Sequence, residues 1–428
     1  MRKLWSRVPL KAALVVMLVS VMILSACTPA DDTPVAPTTV PPTAEPTDAP
    51  EPEPKETTGQ VEGPVAPTAE AAPGVCEAAP LPELPVSPVT EEDWVKGADQ
   101  ENTEITIIEY SDFECPGCSG MYPVLQEFLD ENPGTRLVYR HFPLDMHQHA
   151  MITAEAAEAA GAQGKFWEMH NLLFDNRNEW QPLTEEDILE KLNEYAETLD
   201  LDVERFEREL ENGTYEEKIQ AQYEESRELG LPGTPTFIFN NILYPSDIGL
   251  SYQGLEAFTQ IVNNRDEIFF DAPPPVTVEE GDAYQATLAT SKGDLVVTLN
   301  TESAPVSVNS FVFLAEESWY DGSNFFFVQD DFVAVTGDPT NSTVGYPGYY
   351  CTGETDSVFE SAGVVGMLPN GQFFVTLGAE AAQLNGQFAR IGEVVEGTEI
   401  LEELARVTVG DPTAPEPDVL EAVTIQQP

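Results

Sequence analysis

The sequence predicts a multidomain protein, an α/β domain with a helical insertion followed by a mostly β domain that closes into a barrel. Two stretches of regular apolar patterning, at 92–271 and 281–414, are separated by a short proline run. A long helical pattern interrupts the first stretch, and aromatic strands with glycine-rich turns fill the second. At 428 residues, the chain is long enough for each stretch to bury its own core.

Composition limits the possible partners. The chain has 75 acidic and 19 basic residues, a formal net charge of −56. The electrostatic field of this negative charge repels nucleic acid and anionic lipid headgroups, so a nucleic-acid-binding function is excluded.

The predicted boundaries are a signal peptide at 1–26, a disordered Pro/Thr/Glu-rich stalk at 27–91, the α/β domain at 92–271, a linker at 272–280, the β domain at 281–414 and a tail at 415–428.

The N-terminus has the pattern of a secretory signal. Basic residues precede an apolar run from Ala12 to Leu24, which is shorter than the about 20 residues of a membrane span. The run ends in Leu-Ser-Ala-Cys27, which resembles the bacterial lipobox. That resemblance implies that Cys27 carries diacylglycerol, and the alternative is an ordinary signal peptide with an incidental cysteine. Export implies an extracytoplasmic compartment in which disulfides persist.

The segment from Thr28 to Thr90 contains 16 of the 36 prolines and no aromatic residue, so it cannot build a core. Proline keeps such a segment extended. We therefore expect a semi-rigid stalk that lifts the folded part off the membrane.

A Cys-Pro-Gly-Cys motif follows the first strong strand pattern. The β-branched run Glu104–Tyr110 predicts a buried strand, and apolar spacing over Met121–Asp130 predicts a helix. The motif therefore lies where a strand ends and a helix begins. The positive end of the helix favours a thiolate at Cys115, which predicts the nucleophile. Cys118 lies on the same side of the first turn and is predicted to be the resolving thiol.

The rest of the first domain follows from its local patterns. Thr184 and Asp187 resemble a capping box, and a proline directly before an apolar strand at 236–239 is expected to be cis and to mark the start of that strand. The other predicted elements are a strand at Arg136–Arg140, a mostly helical stretch at Met146–Leu229 containing a helix at Ile188–Leu199, and an amphipathic helix at Leu255–Arg265.

In that order of elements, the first domain resembles a DsbA-like thioredoxin domain. Two further segments similar to the family are Tyr139–Leu144 and Gln163–His170. The resemblance implies that Cys115 attacks, that Cys118 resolves, and that Thr234 and Pro235 lie against the dithiol.

One departure from the family concerns the dipeptide between the cysteines. It is Pro116-Gly117, without the histidine of strong oxidants, and Glu114 is expected to raise the pKa of the neighbouring thiol. The direction of electron flow, whether oxidation, reduction or isomerisation, therefore stays open.

Two alternatives compete for the cysteine motif. A zinc site could combine Cys115 and Cys118 with His147 and His149. A purely structural disulfide is the other alternative, although a bridge across three residues constrains little chain. A lone C-x-x-C beside a strand and a helix favours redox chemistry, so we predict neither a metal nor a cofactor.

The second domain resembles a cyclophilin-type peptidyl-prolyl isomerase over about residues 285–409. The matching segments are Ala304–Pro305, Asn309–Phe311, Tyr320–Gly322, Gly337–Pro339, Gly371–Leu377, Leu384–Gly386 and Gly392–Gly397. A helix is predicted at Val306–Glu316.

The polar side chains on which that family depends are replaced. Isomerisation needs an arginine that polarises the prolyl nitrogen, and its place is taken by Phe327. Val335, Phe388 and Gln383 replace a glutamine, a histidine and a tryptophan. The resemblance leaves a peptide-binding floor made of Phe332, Met367, Gln372 and Phe374. We therefore expect a binding module for apolar or proline-containing peptide, with a working isomerase or simple barrel core as alternatives.

With Cys27 and the dithiol accounted for, Cys76 and Cys351 remain, and a bridge between them is a parsimonious hypothesis. Together these features predict a membrane-anchored thiol–disulfide oxidoreductase. Its expected partners are exported or unfolded polypeptides and a redox partner protein, with the membrane contacted only through the lipid anchor. A holdase without enzyme activity is the alternative from another functional class.

Overall fold

The computed structural model describes residues 73–245, 248–411 and 413–427. The predicted signal peptide, the predicted lipidation site at Cys27 and the predicted stalk as far as residue 72 lie outside the described residues. In the part of the chain that is described, every helix is too short or too polar to cross a bilayer.

Strands rich in β-branched and aromatic residues form the five-stranded sheet of the first domain, in the order β2-β4-β3-β5-β6. Strands β3 and β4 are parallel, and the other neighbours are antiparallel. The elements from the N-terminus are β1 (Val75–Ala78), β2 (Trp94–Gly97), β3 (Ile105–Ser111), α1 (Pro116–Glu131), β4 (Thr135–His141), α2 (Ala150–Gly161), α3 (Phe166–Asp175), α4 (Arg177–Trp180), α5 (Glu185–Thr198), α6 (Val203–Glu211), α7 (Glu216–Glu228), β5 (Thr236–Phe239), β6 (Ile242–Leu243), α8 (Tyr252–Asn263) and α9 (Arg265–Ile268).

Strand β3 is buried on both faces, as its apolar run predicts. Ile105 and Ile107 pack in the cluster that contains the apolar residues of α1 and α8. Ile108 and Tyr110 belong to a separate cluster, together with residues of and after α7. The sheet therefore holds the start of α1 at its centre, where β3 ends.

The helical insertion has the predicted start signal. The Thr184 hydroxyl accepts a hydrogen bond from the Asp187 amide at 3.2 Å and donates one to the Asp187 carboxylate at 2.7 Å. The helix begins at Glu185, three residues before the predicted start, because the cap precedes the first apolar residue.

A curled nine-stranded antiparallel half-barrel forms the second domain, in the order β10-β11-β14-β13-β15-β8-β7-β16-β9. Helix α10 packs Val308, Phe311 and Val312 into its core. The elements are β7 (Gln285–Thr290), β8 (Gly293–Leu299), α10 (Pro305–Glu316), β9 (Ser323–Asn324), β10 (Phe327–Val328), β11 (Val333–Thr336), β12 (Tyr349–Thr352), β13 (Val364–Met367), β14 (Phe373–Thr376), a 3₁₀ helix (Ala379–Leu384), β15 (Ala389–Glu396), α11 (Ile400–Glu403) and β16 (Val419–Gln426).

Two predicted boundaries are wrong. The predicted tail at 415–428 contains β16, which pairs with β7 and buries Leu420 and Val423 in the core of the second domain. The predicted stalk ends earlier than residue 91, since β1 is paired and Leu81 lies in the core of the first domain. The predicted linker at 272–280 contains no helix or strand, and its Val278 is buried in the second domain.

Both ends of the first domain contact one loop of the second domain. Before the domain, β1 pairs with β12, and the Ala79 amide donates to the Gly348 carbonyl at 2.7 Å. After it, the Phe270 amide donates to the Pro347 carbonyl at 3.0 Å, and Phe269 packs edge-on against Tyr346.

Candidate functional site

The loop before α1 is fixed by one buried carboxylate. Asp112 accepts hydrogen bonds from the Glu114 amide at 2.8 Å and the Leu144 amide at 2.9 Å. Its carbonyl accepts a bond from the Cys115 amide at 3.1 Å. Cys115 is therefore held as the N-cap of α1, with Pro116 in the first turn, where its preset φ suits the helix.

The two sulfurs of the motif are free thiols with unequal access. Cys115 is 6% exposed, and Cys118 is 0% exposed. The Cys115 thiol donates to the Thr234 carbonyl at 3.2 Å, and the bond from Thr234 to Pro235 is cis, as the sequence predicted. A Cβ at Gly117 would lie 3.0 Å from Pro235 Cδ, so the absence of a side chain there lets the proline approach the dithiol.

The pKa values of the two thiols move in opposite directions. The pKa of Cys115 is lowered to about 5, first by a hydrogen bond from the Cys118 thiol. Burial opposes this, whereas the Thr234 side chain and the Gly117 and Cys118 amides lower the pKa of Cys115 further. The pKa of Cys118 is raised well above its ordinary value, mainly because burial disfavours its charged form. One thiol is thus ionised near neutral pH while the other keeps its proton.

Glu114 does not have the predicted effect. The sequence suggested that its charge would raise the pKa of Cys115, but that pKa is lowered. The Glu114 carboxylate accepts from the His149 amide at 2.6 Å, and its carbonyl accepts from Arg177 at 2.7 Å. The Glu114 carboxylate is therefore held at the start of α2, where His149 is the N-cap.

Glu109 is a site residue that the sequence reasoning missed. It lies within β3, is 2% exposed, and its pKa is raised to about 7, mainly by burial and also by the Cys115 charge. Its own charge raises the pKa of Cys118. The signal that could have found it is an acidic residue inside a mostly apolar strand, two residues before that strand ends at Ser111.

The histidines of the zinc alternative have other partners. His147 Nδ1 lies 2.7 Å from Asp112, and His149 Nε2 lies 2.9 Å from the Leu183 carbonyl. Among the residues that the structure describes, no three histidine, cysteine or carboxylate side chains meet as a set of metal ligands.

The aromatic replacements in the second domain lie together. Phe327 is paired with Val335 across two strands, and its ring is edge-on to Phe332. Phe374 packs against Phe388 and against Phe359, which the sequence reasoning did not name. All of these side chains are at most 5% exposed. The rings therefore cover one another where a groove was expected.

The remaining predicted groove residues also have structural roles. Met367 packs in the barrel core. The Gln372 amide donates to the carbonyls of Thr343 and Gly345 at 3.1 and 3.0 Å. Little of this predicted peptide-binding floor faces solvent.

The two remaining cysteines, Cys76 and Cys351, are joined by a disulfide, as the sequence hypothesis proposed.

Two family models match consecutive parts of the chain. Residues 90–260 match the thioredoxin model, and residues 285–426 match the model for cyclophilin type peptidyl-prolyl cis-trans isomerases. The chain joins a thioredoxin-like domain to a cyclophilin-type domain. The cyclophilin-type match extends through β16, in agreement with the place of that strand in the sheet.

Solved structures resemble each domain separately. For the thioredoxin-like domain, a thioredoxin-like oxidoreductase from Silicibacter pomeroyi is 25% identical, with a TM-score of 0.34, and covers 41% of this chain and 94% of that one. BdbD from Bacillus subtilis is 18% identical, with a TM-score of 0.35 and coverages of 44% and 99%. For the cyclophilin-type domain, a peptidyl-prolyl isomerase from Cryptosporidium parvum is 22% identical, with a TM-score of 0.30 and coverages of 34% and 99%.

Curated relatives include much longer proteins. A Na(+)/H(+) antiporter NhaA 1 of Salinispora arenicola is 41% identical over 158 residues, which is 37% of this chain and 22% of the antiporter. Another, from Mycolicibacterium vanbaalenii, is 33% identical over 182 residues, 40% of this chain and 27% of the antiporter. The chain thus spans only about a quarter of the length of these relatives.

Proposed function

We propose that this protein is an extracytoplasmic thiol–disulfide oxidoreductase that acts on exported polypeptides through Cys115 and Cys118. The observation that carries the proposal is the opposite shift of two thiol pKa values at one helix start. A nucleophile must be a thiolate, whereas the resolving thiol must wait until the mixed disulfide has formed. Membrane attachment through Cys27 is part of the proposal.

The reaction needs no cofactor. The Cys115 thiolate attacks a client disulfide, forms a mixed disulfide and releases one client thiolate. Cys118 then loses its proton and attacks the Cys115 sulfur, which releases the second client thiolate and leaves a Cys115–Cys118 disulfide. Two electrons pass to the client, and the reverse sequence oxidises a client dithiol. Thr234 and Pro235 border the attacking sulfur and are proposed to contact the client chain.

The low pKa of Cys115 favours one direction. A stabilised thiolate lowers the free energy of the reduced form, so the Cys115–Cys118 disulfide tends to accept two electrons from a client dithiol and become the dithiol. We therefore propose client oxidation, with a separate redox partner protein that reoxidises the pair. Equilibration of the pair with glutathione buffers tests this direction, and a couple as reducing as about −270 mV would reverse it.

For the cyclophilin-type domain, we propose weak or absent isomerase activity. The position of the polarising arginine holds Phe327, and the surrounding rings are buried against one another. Binding of apolar or proline-containing peptide at Phe332, Met367, Gln372 and Phe374 remains a hypothesis that requires these rings to open. Titration of a proline-containing peptide against a Phe374→Ala variant tests it, and unchanged affinity would end it.

The decisive experiment on function compares wild type with Cys115→Ser. Oxidation of a reduced client protein should be lost in the variant, since the nucleophile is gone. A holdase would instead suppress client aggregation equally well with either residue. Retention of client oxidation in Cys115→Ser would overturn the proposed enzyme.

A further inference from the structure

Strand β1 is held to the cyclophilin-type domain by few interactions of its own. Val75 is 47% exposed, and Glu77 and Ala78 are also exposed. The strand therefore buries little apolar surface, and a four-residue pair of strands is marginal in water. The exception is Cys76, which lies directly opposite Cys351 in the ladder and is bonded to it.

The surface beneath β1 is nevertheless shaped for a close-lying chain. Gly353 has a φ of +94°, and a Cβ there would lie 2.6 Å from the Pro73 carbonyl oxygen. A Cβ at Gly74 would lie 2.6 Å from the Glu354 carboxyl group. Glycines on both sides thus allow the two backbones to approach. Glu354 itself is fixed by the Val306 and Ser307 amides at the start of α10.

Strand β12 pairs along one edge with β1. The described sheets pair β12 with β1 and place it outside the nine-stranded half-barrel. If β1 left, the backbone groups of Tyr349–Thr352 that face it would be open to another extended chain. The first domain would stay attached, because Leu81 remains in its core and Phe270 remains bonded to Pro347.

We propose that the edge of β12 is a docking site for an extended strand, occupied in cis by residues 75–78 and held closed by the Cys76–Cys351 disulfide. A dithiol reductant opens it. The reductant gives two electrons and two protons to the bridge, the S–S bond breaks into two thiols, and the reductant becomes a disulfide. Before opening, the first attached residues of the chain are those of β1, on the cyclophilin-type domain. After opening, they are those around Leu81, on the thioredoxin-like domain.

The test uses the full chain with Cys115→Ser and Cys118→Ser, so that the active dithiol plays no part. Endoproteinase Glu-C cuts after glutamate, and Glu77 is protected only while β1 is paired. Cleavage after Glu77, followed by mass spectrometry, should be at least tenfold faster with dithiothreitol than without it. Cleavage after the exposed Glu280 is the internal control and should not change.

A matched variant separates the bridge from the reductant. Adding Cys76→Ser and Cys351→Ser should give fast cleavage after Glu77 without dithiothreitol and no further gain with it. Equal cleavage in oxidised and reduced protein, or continued protection of Glu77 in this variant, would overturn the proposal that the disulfide holds β1 on β12.

Docking itself is tested with a strand supplied in trans. In the reduced Cys76→Ser form of the same background, a peptide of residues 73–79 activated as its thionitrobenzoate disulfide should label Cys351 and release thionitrobenzoate. Labelling, located by mass spectrometry, should be at least tenfold faster than with a scrambled peptide that keeps the cysteine. Equal rates would show that the edge does not recognise a strand.

Discussion

The dithiol corner of the first domain (Cys115 and Cys118) and the phenylalanine face of the second (Phe327, Phe374 and Phe388) are the two regions where the sequence predicted a site, yet they differ in chemistry. At the corner, backbone amides, a second thiol and Thr234 surround one sulfur and lower its pKa. On the face, Phe327, Phe374 and Phe388 pack against apolar neighbours and present no charge. A buried group becomes reactive when polar partners stabilise its charged form. Side chains that are buried without such partners contribute only to the hydrophobic core.

The largest expected effect concerns the resolving thiol. In Cys118→Ser, turnover of a disulfide client should fall on the order of 10³-fold, because a hydroxyl cannot displace the mixed disulfide. A covalent adduct at Cys115 should accumulate and be visible by non-reducing electrophoresis. The control is Cys76→Ser with Cys351→Ser, which leaves the dithiol intact. Normal turnover in Cys118→Ser would assign resolution to another group.

The second prediction restores the family's charge on the phenylalanine face. Phe327→Arg should destabilise the protein by about 3 kcal/mol, because a guanidinium would be buried without a partner. Phe327→Leu is the matched control and should cost about 1 kcal/mol. Chemical denaturation measures both. An arginine variant that keeps its stability and gains isomerase activity would mean that the face is an open groove.

The third prediction concerns Glu109 and pH. Its folded-state pKa of about 7 exceeds its ordinary value of 4.5, so the folded protein binds the proton more tightly than the unfolded chain. The associated stability is fully present below about pH 4.5 and declines as pH rises to about 7, by roughly 3 kcal/mol.

Glu109→Gln removes this titration. The variant should be more stable than wild type at pH 8, and the difference should shrink toward pH 4.5. Urea denaturation at several pH values measures it. A stability difference that does not depend on pH would contradict the raised pKa.

The smallest expected effect is a null result on wild type. Acceleration of proline isomerisation in a short peptide should not exceed background, since no polarising cation lies at residue 327. A chymotrypsin-coupled assay with a known cyclophilin as positive control measures this. Vigorous turnover would remove the contrast between the two regions.

How much the sequence could predict depends on how local each signal is. The thiol pair, the helix that starts beside it and the cap at Thr184 depend on neighbours within a few residues, and all were predicted. The cis bond before Pro235 was predicted because a proline at the start of a strand restricts the backbone locally.

The errors involve contacts between distant segments. Strand β16 pairs with β7, which lies more than a hundred residues earlier in the chain, so its short pattern was taken for a tail. Glu114 was expected to act on Cys115 through sequence proximity, but its carboxylate bonds the amide of His149. Glu109 was visible in the sequence as an acidic residue inside an apolar strand, but its effect on Cys118 became apparent only from the fold.

The most direct test of the account is the ionisation of Cys115. Thiolate absorbance at 240 nm, followed from pH 3 to 9 in the reduced protein and in Cys115→Ser, isolates its titration. We predict a transition near pH 5 that is present in wild type and absent from the variant. A wild-type transition at about pH 8.5, the value of an ordinary thiol, would contradict the account.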